Sequence, residues 1–300
     1  MTHDHAQPAP DGVRTAFLVA AGLNVAFVAF EVVFGFRSGS LALLSDAGHN
    51  LGDVLGLLLA WGAILLARRA PSARRTYGLR RSTILAALAN AVVLLIAVGA
   101  VALEAVQRLQ HPGPIAAPTI IAVASLGIVV NGLSAWLLGR GRRDDLNVRA
   151  AATHLAADAA VSLGVVLTGI ALVFTRWWWL DPVVSLLVSA LIVGSTWGIL
   201  RESLDLAMDA VPGRIDPAAV RAYLEAVPGV VEVHDFHIWA MSTTEIALTA
   251  HLVTDRATLD DDLTCRIAHD LSERFGIVHP TLQWESANRA QPCRQGRNAP

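Results

Sequence analysis

Residues 40–63 read SLALLSDAGHNLGDVLGLLLAWGA, and within this apolar run His49 is followed four positions later by Asp53. The spacing recurs in residues 152–170, ATHLAADAAVSLGVVLTGI, as His154 and Asp158. On a helix of about 3.6 residues per turn an i, i+4 pair faces one way, so two such helices side by side bring four metal ligands together. An ionisable group at membrane depth costs at least about 2.5 kcal/mol and persists mainly where it faces a partner, a cavity or a transported ion. A hydrogen bond between packed helices would explain either pair alone. The repetition points instead to a divalent-cation site inside a membrane.

Working outward, the chain of 300 residues has 54% hydrophobic side chains and a mean hydropathy of +0.51, which excludes an ordinary soluble enzyme. Six apolar runs, each about 20 residues or more and so long enough to span a bilayer, lie near 15–36, 41–67, 83–107, 118–139, 150–174 and 181–201. Six spans put both termini on one side. The loop after the second run carries Arg68, Arg69, Arg74, Arg75, Arg80 and Arg81, and the loop after the fourth carries Arg140, Arg142, Arg143 and Arg149. The positive-inside rule then places both ends in the cytoplasm, with Trp177, Trp178 and Trp179 in an aromatic belt at the outer interface. The cytoplasmic (inner) membrane of a bacterium, with its lipid as surrounding, is the expected location. A net charge of −2 with no basic domain argues against a nucleic-acid partner. The sequence has no Lys, which reads as a composition bias. Cys265 and Cys293 offer neither a disulfide framework nor a CxxC pair. The N-terminal MTHDHAQPAPDG lacks the basic flank and apolar core of a cleaved signal, and its His3 and His5 read as part of a disordered tail.

From about residue 203 the texture is that of a soluble module. DPAAVRAYLEAVPG reads as a helix with Asp216 as N-cap and Pro217 at the first helical position. VVEVHDFHIWAM and EIALTAHLV read as strands joined by the turn STT, TLDDDLTCRIAHDLSERFG as a helix capped by Thr258, and PTLQWES as a third strand. The expected fold is an all-α six-helix transmembrane domain followed by a small α+β domain of order αββαβ. The expected division is a disordered tail over 1–14, the membrane domain over 15–202, the cytosolic domain over 203–287 and a second tail over 288–300.

In four stretches, SGSLALLSDAGHNLGD, RTYGLRRSTILAALAN, VRAAATHLAADAAVSLGV and VHDFHIWAM with LTAHLV, the chain resembles the cation diffusion facilitator family of divalent-metal exporters over nearly its whole length. The resemblance implies six transmembrane helices, a ferredoxin-like cytosolic domain, and a homodimer that exports metal against inward protons. It makes His49, Asp53, His154 and Asp158 the transport site, in the two-histidine form that goes with zinc. It also puts His234, His251, His279 and Glu285 where relatives bind zinc at the cytosolic dimer interface. His237 and His269 are weaker ligands there, and Cys293 is more simply free.

The donor set agrees: imidazole nitrogen with carboxylate oxygen in a tetrahedron suits Zn²⁺, whereas Mg²⁺, Ca²⁺ and Mn²⁺ favour oxygen-rich larger shells. Co²⁺ and Cd²⁺ are possible passengers, since selectivity rests on geometry and availability. Asp46, three residues before His49, reads either as part of the cation path or as a helix-end residue. Asn24, Glu31, Asn50, Asn90 and Asn131 read as bonding between helices, with packing the default for the asparagines. A further metal site in the loop after the second span is not expected, for RRAPSARRTYGLRR has no His, Asp, Glu or Cys, and GRGRRDDLNVRA is no histidine-rich loop. The alternative function is a membrane-embedded zinc metalloenzyme. Catalytic zinc keeps an open position and normally a nearby base, whereas four ligands close this shell and no HExxH is present. Without a Walker motif or an aspartyl-phosphorylation segment, the expected energy source is an ion gradient, with H⁺ as coupling ion: a metal-bound imidazole must be neutral, so metal and proton compete for the same ligands.

Overall fold

A computed structural model describes residues 11–139, 146–255 and 261–287; of the helical residues, the side chains of 11–21, 57, 60, 137–139 and 146–154 also lie outside the description. Six long helices come first: α1 Asp11–Ser38, α2 Leu41–Ala67, α3 Ser82–Gln110, α4 Ala117–Gly139, α5 Leu146–Thr175 and α6 Leu180–Ala207. The element order then continues α7 Pro217–Glu225, β1 Val230–Ala240, β2 Ile246–Thr254, α8 Asp261–Phe275 and β3 Ile277–Ser286. Among the described residues five helices, α2 to α6, are long and apolar enough to cross a membrane. The six runs expected from sequence all become helices, most of them a few residues longer at one or both ends. The chain divides into two compact units, one of Met1–Leu58 with Asn90–Trp197 and the other of Leu59–Ala89 with Gly198–Pro300.

The first unit is an all-helical bundle whose close contacts are made at glycines. A methyl group on Gly127 of α4 would come within 2.6 Å of the Phe27 ring of α1 and 2.9 Å of Ser162 Oγ on α5, and one on Gly169 within 2.7 Å of Ile121. Small residues let helix backbones approach where no solvent drives them together. The two contacts also fix the α4–α5 packing as antiparallel, with 127 opposite 162 and 121 opposite 169. Large apolar side chains such as Ile96, Leu103, Val129, Leu167 and Leu191 face outward, which a hydrocarbon surrounding suits and water does not. Several buried polar groups are paired across helices. Asp181, at the start of α6, accepts from Ser40 Oγ at 2.5 Å, from the Leu41 N–H at 2.8 Å and from the Ala42 N–H at 3.4 Å. A carboxylate at a helix N-terminus meets orphan donors and the positive end of the dipole together, so α6 holds the first turn of α2.

The second unit contains the small sheet, order β1-β2-β3, with β1–β2 antiparallel and β2–β3 parallel. The Asp216 side chain accepts from the Ala218 N–H at 2.9 Å with Pro217 at the first position, as the sequence indicates. The Thr258 cap falls outside the described residues. Val220 and Leu224 of α7 and Leu263, Ile267 and Leu271 of α8 pack with Val233, Ile238, Leu248 and Leu252 of the sheet, so both helices cover one face. Tyr223 of α7 donates to Asp270 of α8 at 2.8 Å, and burial together with that carboxylate pushes the phenol up to about 12. The third strand begins at Ile277, three residues before PTLQWES, because parallel pairing with β2 takes in Ile277 opposite Ile246 and His279 opposite Ala247. The arginine-rich loop packs against this module: Arg80 Nη1 lies 2.7 Å from Glu245 Oε2, Arg81 pairs with Asp209, and Thr83 Oγ1 accepts from the Thr243 N–H at 3.1 Å.

Replacing Asp181 by Ala leaves the buried donors of α2 without an acceptor, each costing about 1–3 kcal/mol. The expected result is a clearly lower melting temperature of the purified protein, with Asp181→Asn intermediate because one acceptor remains. Equal melting of Asp181→Ala and the unaltered chain would overturn this account of the α2–α6 junction.

Candidate metal centres

Between α2 and α5 the first sequence pair meets Asp158 of the second. His49 Nε2 lies 3.3 Å from Asp158 Oδ1 and 3.8 Å from Asp53 Oδ2. One ligand atom from each of the three residues falls within 4.8 Å of the others, a spacing that could hold a metal ion. Zinc with bonds of about 2.0–2.1 Å sets tetrahedral ligand atoms about 3.3 Å apart, which the His49–Asp158 distance matches. The fourth expected residue, His154, stands in α5 one turn before Asp158, but its side chain lies outside the described residues. Asp158 is buried, His49 mostly so, and Asp53 is half-exposed.

A sealed polar network adjoins this group. Asp46 and Glu31 have no exposed surface; Ser162 Oγ donates to Asp46 Oδ2 at 3.1 Å, and Asn50 Nδ2 donates to Glu31 Oε2 at 3.0 Å. Asp46 and Asn50 flank His49 on α2, and Ser162 is one turn from Asp158 on α5. Both candidate ligands thus stand on helix faces tied to buried acids. Asp46 therefore belongs to the interior beside the candidate ligands and not to a helix end, which its i−3 position already allowed.

The cytosolic sheet carries a second group on the face away from α7 and α8. His234 pairs with His251 across β1–β2. His251 Nδ1 lies 2.9 Å from Glu285 Oε1, and His234 Nε2 lies 3.5 Å from Glu285 Oε2; these three could also hold a metal ion. The geometry depends on a bulge. Between the pairs His234–His251 and His237–Thr249 two β1 residues, Asp235 and Phe236, oppose one on β2, Ala250, and Asp235 takes a left-handed φ of 47°. Asp tolerates that region better than most residues, and the extra residue turns its carboxylate toward both neighbours: Oδ2 lies 3.3 Å from His251 Nε2 and Oδ1 3.1 Å from His237 Nε2. Sequence reading missed Asp235. The one signal was an aspartate in mid-strand between two histidines, where strand propensity disfavours it.

His279 does not join this group within one chain. It pairs with Ala247 whereas His251 pairs with Gln283, so it sits four positions down β3 from the level of His251, about 13 Å at about 3.3 Å per residue. Its ring packs edge-on against Tyr77, centroids 5.5 Å apart. Within one chain an extended strand separates His279 from Glu285 by six rises. Among the described residues His237 pairs with Asp235. Cys293 lies outside the described residues, and Cys265 is an exposed free thiol on α8.

Two family models match the chain: the cation efflux transmembrane domain over residues 17–206 and the cytoplasmic domain of cation efflux proteins, which indicates dimerisation, over residues 212–287. The chain therefore belongs to the cation efflux family, the cation diffusion facilitators, which are multi-pass membrane transporters of metal cations and not enzymes. It is 36% identical over 295 residues to the cation efflux system protein CzcD of Alcaligenes sp. (strain CT14), covering 98% of this chain and 91% of that one. It is equally 36% identical over 299 residues to the zinc transporter ZitB of Escherichia coli (strain K12), at 98% and 94% coverage. A cadmium, cobalt and zinc/H(+)-K(+) antiporter of Bacillus subtilis (strain 168) is 32% identical over 291 residues, at 95% and 92%. A solved metal-bound C-terminal domain of the CzcD transporter from Cuprividus metallidurans is 36% identical, covering 24% of this chain and 99% of that one, with a TM-score of 0.22.

Asp235→Asn keeps a side chain that tolerates positive φ and removes only the charge facing His251. If Asp235 steadies the cytosolic group, the zinc-dependent rise in melting temperature of the full chain should need about 10-fold more zinc in this variant, at the low end of the usual loss on removing a ligand's supporting partner. His279→Ala should leave that rise unchanged. The opposite ranking would show that the cluster is not where the sheet register puts it.

Proposed function

We propose that this protein is a homodimeric secondary transporter that exports divalent cations, Zn²⁺ foremost with Cd²⁺ and Co²⁺ as further cargo, from the cytoplasm in exchange for protons. The observation that carries the reading is the His49–Asp158 contact with Asp53 alongside, which joins the two i, i+4 motifs across α2 and α5. His154 completes the set as fourth ligand. The printed names of the relatives support the cargo and, in the Bacillus protein, the antiport. The division at residues 15–202 and 203–287 follows the same reading, as does a ferredoxin-like cytosolic domain that dimerises. Placement in a bacterial inner membrane with both termini cytoplasmic accords with the arginines of the 68–81 loop, which pack on the C-terminal module.

The mechanism is alternating access. A cation arriving from the cytoplasm displaces protons from the imidazoles, because nitrogen must be unprotonated to ligate and a ligating carboxylate ionised. Reorientation opens the site outward, protons compete the cation off, and the protonated carrier returns. His234, His251 and Glu285 form a cytosolic regulatory site that senses zinc load; binding to the folded state alone stabilises it by mass action. His279 contributes only if a second chain brings it to the cluster.

Metal-driven proton flux in proteoliposomes, compared across Zn²⁺, Co²⁺, Cd²⁺ and Mn²⁺, tests the whole reading; metal uptake without counter-flow of protons would sink the antiport. Asp158→Ala and Asp53→Ala should each abolish transport while leaving a folded, membrane-inserted protein. His49→Asp, which trades nitrogen for oxygen, should loosen discrimination against Cd²⁺ and Mn²⁺. Apparent zinc affinity should weaken steadily as pH falls from 8 to 5.5, since protons and metal share the imidazoles; an affinity flat over that range rules the competition out.

A further inference from the structure

Two buried polar groups outside these roles stand on α4. Asn131 has no exposed surface, and neither its amide nitrogen nor its carbonyl oxygen has a hydrogen-bond partner among the described residues. Ser134, three residues on, is equally sealed and its hydroxyl is likewise without a partner. Native interiors satisfy the large majority of such groups, and each one left unmet is destabilising. A packing residue would be better as Leu. Two buried polar side chains on one stripe of one helix, neither with a partner among the described residues, therefore mark something other than packing.

The α4–α5 register says what they face. Gly127 meets Ser162, and Gly169 meets Ile121, so the helices run antiparallel and positions across the contact descend on one as they ascend on the other. One turn on from Gly127 is Asn131, and one turn back from Ser162 is Asp158. Both steps are i, i+4 and stay on the facing stripes. Asn131 therefore stands level with the carboxylate that reaches His49, and Ser134 continues toward the level of His154 in α5. Each offers a neutral oxygen.

We propose that Asn131 is a specificity-determining residue of the transport site, its amide oxygen serving the cation directly or through one cation-bound water, with Ser134 extending the same neutral-oxygen wall. The proposal rests on the transport-site reading above. A neutral oxygen adds coordination without charge, which matters least to Zn²⁺ held by four ligands and most to ions that readily take more, such as Co²⁺ and Cd²⁺.

The test is transport by the full chain in proteoliposomes, with each metal alone and with melting measured in parallel. Asn131→Leu keeps the volume and removes both polar atoms. It should lower kcat/KM for Co²⁺ and Cd²⁺ relative to Zn²⁺ at least about tenfold, while the melting temperature holds or rises, since an apolar group replaces an unsatisfied one. Asn131→Asp keeps an oxygen and adds charge, and should move the same ratio the other way by a similar factor. If Asn131→Leu fails to accumulate, the Asp variant decides. Unchanged metal ratios in the variant that folds overturn the proposal. His49→Ala separates the two levels: if it transports normally the transport-site reading itself fails, whereas a dead His49→Ala beside an Asn131→Leu of unaltered selectivity removes Asn131 alone.

Discussion

The rest of the bundle depends on one contact, the approach of His49 Nε2 to Asp158 Oδ1 between α2 and α5. Ionisable groups at this depth are tolerated only when something compensates them, so the surrounding structure has to bring two helices together at one level and keep them there. Ser162 of α5 does so one turn away through Asp46 of α2, and on the other flank Asn50 ties α2 to Glu31 of α1. At the far end of α2, Asp181 fixes where the helix starts. With α2 held at its first turn and at the level of its candidate ligands, little freedom is left for it to slide along α5.

Much of this was legible in the sequence because the informative features are local. An i, i+4 spacing survives whatever the tertiary arrangement, so the His49–Asp53 and His154–Asp158 pairs could be read as faces before any helix was placed. Apolar length marked every long helix to within a few residues, and Asp216 with Pro217 marked the start of α7 for reasons confined to one turn. What could not be read was set by relations between distant segments. Nothing in the spacing of Asn131 distinguishes a packing amide from one standing level with Asp158; that follows from where Gly127 meets Ser162, a matter of register between two helices.

The cytosolic sheet shows the same division. Alternation put His234 and His251 on adjoining strands, and the pairing bears that out. Yet strict alternation also sends His234 and His237 to opposite faces, and would turn Asp235 toward the core. The bulge adds one residue, restores His237 to the outer face, and swings a carboxylate between two imidazoles. A backbone irregularity of one residue thus decides the composition of the cluster. Within one chain His279 stays apart for the complementary reason, since a strand that stays regular carries its two ends far apart.

Charge balance ties these observations to transport. Asp53 and Asp158 lie within 3.8 Å of the His49 imidazole, and two carboxyls of the adjoining network, Glu31 and Asp46, have no exposed surface at all. In a medium of low dielectric, uncompensated charge is far more costly than in water, so an interior of this composition favours gaining positive charge over remaining without it. A divalent cation and protons are the two ways of supplying that charge, and each makes the other less needed. In the proposed antiport, exchange of one for the other then requires no dedicated switch. It would follow from placing several acids beside an imidazole that can bind either a proton or a metal, at a depth where neither form can be left unbalanced.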